Sequence, residues 1–104
     1  MDNAEVLDLL RKDSRVVGIV RELKNADTNA SLYVQKDPLF DADGNICILV
    51  VSSSLTYDSM ELLIRRVIPN YDFDTLDFSR NAVQVTLFPE SMLKPDIDVC
   101  LNDM

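Results

Sequence analysis

Apolar residues recur at helical spacing through the first quarter of the chain and then switch to alternation. Val6, Leu9 and Leu10 share one helical face, which predicts a helix over residues 3–12 capped by Asp2 or Asn3. Asp13-Ser14 offers a second cap, so a break follows there. Residues 15–25 admit two readings. Val16, Val20 and Leu23 form a helical stripe, whereas Val16-Val17-Gly18-Ile19-Val20 is rich in β-branched residues and contains a glycine. The continuation Arg21-Glu22-Leu23-Lys24 ends in a basic turn and favours a second helix; a strand over 15–22 is the alternative. Asn25 to Ala30 is small and polar, hence a loop.

From Ser31 the period changes. Leu32 and Val34 alternate with Tyr33 and Gln35 until Pro38, Asp43-Gly44 marks a tight turn, and Ile46 to Val51 is apolar on both faces, as a central strand is. Tyr57, Met60, Leu63, Ile64 and Val67 then define a helix over 57–68, capped by Thr56 or by Asp58 with Glu61, carrying Arg65 and Arg66 in its last turn and stopped by Pro69. Tyr71 and Phe73 alternate with Asp72 and Asp74. The phase slips near Thr75, where Leu76 and Phe78 take over, as a β-bulge would produce. After a turn at Ser79-Arg80-Asn81, Val83, Val85 and Leu87 alternate with Gln84 and Thr86 up to Pro89.

The expected order is helix, helix, hairpin, helix, hairpin in one domain spanning 1–104: a helical segment at 1–26, a ββαββ core at 31–88 and an acidic tail at 90–104. The fold class is α+β, with a mainly antiparallel sheet of about four strands and one crossing helix. The ββαββ order resembles that of ubiquitin-like modules, and a strand at 15–22 would make the order similar to that of type III secretion chaperones. The resemblance is one of element order and carries no motif.

Composition narrows the chemistry. The 104 residues include no histidine, no tryptophan and two glycines, and aspartate outnumbers glutamate fourteen to four. Without imidazole, proton transfer near neutral pH lacks its usual carrier. Cys47 and Cys100 are far apart, which makes no disulfide framework and points to a reducing, cytoplasmic setting. The acidic start and the absence of a long apolar run predict neither export nor a membrane span.

The net charge is −8; residues 1–24 balance five acids with five bases, and the remainder carries thirteen acids against five bases. Such a body repels phosphate backbones, so direct nucleic-acid binding is not expected, and a protein partner with a basic surface is.

Candidate sites follow from the same residues. Asp41, Asp43 and Asn45 are spaced like calcium ligands, but placing Gly44 sixth in the loop puts Leu39 first and Val50 twelfth, so the pattern is that of a turn. Ser52-Ser53-Ser54 precedes a helix without the glycines and lysine of a phosphate loop. Cys47, in an apolar strand, reads as a core thiol. No cofactor or metal is implied.

What remains is contact. Asp72, Asp74 and Asp77 would share an acidic sheet face, and Ile97, Val99 and Leu101 alternate as a strand that could add to a partner's sheet edge or to the chain's own, the tail being otherwise disordered. The expected function is a non-enzymatic adaptor, chaperone-like protein or inhibitor that masks a basic surface. The alternatives are a nucleic-acid mimic that occupies a DNA-binding protein, and an assembly subunit, for which self-association is open.

Overall fold

Asp2 starts the first helix by accepting the Glu5 N–H on its carboxylate at 2.8 Å. In the computed structural model, which describes residues 1–74 and 83–104, α1 runs Asn3–Arg11 and α2 runs Ser14–Ala26. Between them Asp13 accepts the N–H groups of Arg15 and Val16 on one carboxylate oxygen, and the break becomes a corner. Residues 15–25 are therefore helical. Val16, Ile19, Val20 and Leu23 all reach the core, and that burial outweighs the weak helix propensity of β-branched residues.

The third helix, α3, is Tyr57–Ile64, shorter than the sequence pattern suggests because its last four expected residues form turns ahead of Pro69. Its cap is a reciprocal pair: Thr56 Oγ1 accepts the Ser59 N–H and Ser59 Oγ accepts the Thr56 N–H. Glu61 is thereby left for another task. It pairs with Arg65 at 2.8 Å and accepts the Phe73 N–H, while Arg65 Nε donates to the Tyr71 carbonyl. These bonds fasten the segment 71–73 onto the end of α3.

The strands are β1 (Ser31–Gln35), β2 (Ile46–Val51), β3 (Val83–Leu87) and β4 (Asp98–Cys100), in the spatial order β3-β2-β1-β4. The hairpin β1–β2 and the pair β1–β4 are antiparallel, while β2–β3 is parallel. The class is α+β as expected, but among the described residues the ββαββ order is completed only by β4, beyond residue 88, and β3 joins β2 in parallel. A parallel neighbour needs a crossover, and α3 supplies it by carrying the chain back to the start of β2.

The strand expected from Tyr71 does not form over residues 71–74. Residues 73–74 lie in a turn in which Asp72 Oδ1 accepts the Asp74 N–H at 2.8 Å. The alternation of Tyr71 and Phe73 with aspartate arises because both rings dip onto α3 and β3, not because the segment is extended in a sheet. The bulge at Thr75, the turn at Ser79-Arg80-Asn81 and Asp77 lie outside the described residues.

The expected acidic tail is built into the fold. A 3-10 turn, Glu90–Met92, leads into β4, whose Val99 and Leu101 are 2% and 0% exposed. Asn102 then accepts the Leu32 N–H on its side chain.

All three helices lie on one side of the sheet. Leu32, Val34, Ile46, Ile48, Val50, Val83, Val85, Val99 and Leu101 pack with Val6, Leu10, Val16, Ile19, Leu23, Met60 and Ile64 in one core. The opposite face carries the row Cys100–Tyr33–Leu49–Thr86, read across the strands, together with Gln35, Cys47 and Gln84. None of these belongs to the helix-side core.

Candidate binding groove

Among the described residues strand β3 stands at the edge of the sheet, and its ladder alternates. Phe88 donates its N–H to Val50 of β2, so the odd residues of β3 turn their N–H groups away from the sheet. Two of these groups are capped by phenols. Tyr71 Oη accepts the Val85 N–H at 2.9 Å, and Tyr57 Oη accepts the Leu87 N–H at 3.1 Å. Tyr57 Oη also lies 3.1 Å from Thr86 Oγ1, and Thr86 Oγ1 donates to the Leu87 carbonyl, so the Tyr57 proton goes to Thr86. An unpaired strand edge invites another strand; here side chains already hold two of its donors.

Phe73 ties the two tyrosines into one aromatic cluster. Its ring centroid is 5.1 Å from that of Tyr57 and 5.0 Å from that of Tyr71, both edge-to-face. Tyr71 is 1% exposed and Tyr57 is 43% exposed, so the cluster runs from core to surface. Burial pushes the Tyr71 phenol up to about 12, with nearby Cys47 and Glu61 adding to the rise and the Val85 N–H opposing it.

Beside this cluster lies a hollow of about 470 Å³, lined among the described residues by Tyr57, Tyr71, Phe73, Asp74, Gln84 and Thr86, with Cys47 and Val85 completing it. A second hollow of about 240 Å³ adjoins it and shares Cys47 and Gln84; it extends to Phe40 and Asp41 in the β1–β2 loop. Together they form a groove along β2 and β3, with Asp74 and three aromatic rings lining one hollow and Asp41 and Phe40 the other. Asp41 is held in place by its own loop: Oδ1 accepts the N–H groups of Asp43 and Asn45, around Gly44 at φ 80°.

The residues singled out in the sequence scatter over this picture. Asp74 lines the groove and Asp72 lies two residues before it, but as members of a turn, not as a strand face. Ile97 is 37% exposed at the turn entering β4. Val99 and Leu101 face the helices, so they are core side chains and drop out of the contact face; the strand they form adds to β1 of the chain itself.

Tyr57, Phe73, Gln84, Thr86 and Phe40 were not flagged by sequence reasoning. The pairing of an aromatic with an aspartate at 73–74 was the one trace of them.

The cysteines stand on the sheet face away from the helices. Two strand spacings separate β2 from β4, about 10 Å, beyond the reach of a disulfide, and both thiols are free. Burial pushes the Cys47 thiol up, which makes it a poor nucleophile. Among the described residues no group of three His, Cys, Asp or Glu side chains could hold a metal ion, and no helix is long and apolar enough to cross a membrane. Comparison with family models, curated proteins and solved structures gave no match to this chain.

Proposed function

We propose that this chain is a non-enzymatic protein-binding module of the cytoplasm that masks a basic surface of a protein partner, using the acidic sheet-side half of the molecule. One observation carries the reading: charge is segregated by layer. The helical layer, residues 2–27 and 56–66, carries eight acids against seven bases, while the other described residues carry nine acids against two.

Ion pairs within the helical layer take up four of its seven bases. Arg11 meets Asp8, Arg15 meets Asp13, Arg65 meets Glu61 and Arg66 meets Glu22. The sheet-side acids include Asp37, Asp41 and Asp43 in the β1–β2 loop and Asp96 before β4. The Lys36 N–H bonded to the Ile97 carbonyl draws these two segments together. Local excess of one sign at one end of a small protein steers an oppositely charged partner and fixes its orientation.

Two carboxyls ionise more readily than usual. Asp2 is held below the usual range chiefly by the Glu5 N–H, and Asp27 chiefly by the Ser52 hydroxyl. A catalytic acid needs the opposite displacement.

Charge reversal tests the reading. D43K/D74K/D96K changes three exposed sheet-side acids and takes the net charge from −8 to −2, since each reversal adds two. E5K/D8K/D58K makes the same change on the helical layer. With the purified chain immobilised, the partner retained from native extract by the wild type is expected to be retained by the helical variant, lost by the sheet-side variant and released as salt shortens the screening length from about 10 Å at 0.1 M to about 3 Å at 1 M. Equal retention by both variants contradicts the proposal.

A further inference from the structure

We propose that the aromatic hollow at the β3 edge is an arginine-binding site, which takes one guanidinium from a basic segment of the partner. The inference rests on the protein-binding reading above and specifies its chemistry.

The first ground is the hydrogen-bonding character of the hollow. The outward N–H groups of Val85 and Leu87 are already accepted by Tyr71 and Tyr57. The lining adds acceptors in the Asp74 carboxylate and the Gln84 amide oxygen. A guanidinium is donor-only, with five N–H groups in a flat fork, and matches such a set. A partner strand would need donors as well as acceptors from β3, and the two phenols withhold them. Side-chain capture therefore suits this edge better than strand addition.

The second ground is shape and stacking. Tyr57 and Phe73 wall the hollow, and Tyr57 is 43% exposed. A planar cation stacks on such a ring and is attracted by its quadrupole, more so for Arg than for the compact, strongly hydrated ammonium of Lys. The third ground is charge. Asp74 is exposed at the rim and makes no ion pair with the described bases. Asp41, in the adjoining hollow, favours a second positive residue of the same segment.

The test uses hexa-arginine, hexa-lysine and hexa-glutamate peptides as probes of the full chain at low salt, followed by amide chemical shifts. Hexa-arginine is expected to shift Phe73, Asp74, Gln84, Val85 and Thr86 and to bind roughly two- to fivefold more tightly than hexa-lysine. F73L should abolish that preference and leave lysine binding unchanged. D74N, a change at an exposed position, should weaken both cationic probes.

Equal affinity for the two cationic peptides, or arginine-induced shifts confined to residues 37–45 and 94–98, overturns the arginine site while the acidic-face reading stands. Absence of binding by either cationic peptide takes both down. Binding of hexa-glutamate at the hollow overturns the site as well.

Discussion

Tyr71 joins three levels of the structure in one side chain. Its ring belongs to the core, its carbonyl holds Arg65, and its hydroxyl satisfies an edge N–H that would otherwise be buried without a partner. Y71F keeps the ring and removes the acceptor. The expected cost is about 1–3 kcal/mol in urea denaturation, the penalty for a buried unsatisfied donor. The phenol also sets an alkaline limit. Its folded-state value of about 12 exceeds the ordinary 10.0, so the unfolded chain loses this proton first. The stability contributed is complete below pH 10 and is lost as pH rises towards 12. Phenolate absorption of the folded protein should show one of its three tyrosines ionising late, and Y71F should remove that late step. A Y71F protein as stable as the wild type would show that the Val85 bond contributes nothing.

At the scale of elements, the pattern of apolar residues carried the helices well and the sheet only in part. Helical periodicity located α1, α2 and α3 because their buried faces are long stripes, and the β-branched run in α2 yielded to tertiary burial. Gly18 shows why that run contains a glycine. A Cβ there would meet Val67 Cγ1 at 2.9 Å, so the helix packs as closely as its backbone allows. G18A gains about 1 kcal/mol of helix propensity but meets a stiff, branched neighbour, and overpacking of this kind costs about 1–3 kcal/mol. We expect a net loss near 1 kcal/mol, partly restored in G18A/V67A, measured by thermal unfolding. A stabilised single variant would mean that Val67 moves aside freely.

The sheet was less legible, for physical reasons. Alternation at Tyr71-Asp72-Phe73-Asp74 has the period of a strand, yet the same spacing arises when two aromatic rings turn onto one core from a loop tied by Glu61 and Arg65. Of the run Ile97-Val99-Leu101 only Val99 lies in a strand, Asp98–Cys100, with Ile97 in the turn before it, and periodicity cannot say whether a strand pairs within its own chain. The parallel β2–β3 pair depends on where α3 delivers the chain, which no local pattern encodes.

For the whole molecule, composition was the better guide. The acid excess and its concentration beyond residue 24 were plain in the sequence, and the fold turns that linear bias into a spatial one by setting a nearly balanced helical layer against an acidic sheet side. The groove itself was not legible, because it is made where the β1–β2 loop, the 71–74 turn and β3 meet, and Cys47 and Gln84 become shared floor only through the register of β2 with β3. That position makes Cys47 a built-in reporter. It lies in both hollows, while Cys100 is exposed two strands away on β4 and serves as an internal control.

The most direct measurement is the rate at which maleimide labels each thiol, with and without saturating hexa-arginine. Cys47 is expected to be protected and Cys100 to be labelled at an unchanged rate; labelling of Cys47 that the peptide does not slow, or slows no more than that of Cys100, overturns the arginine site.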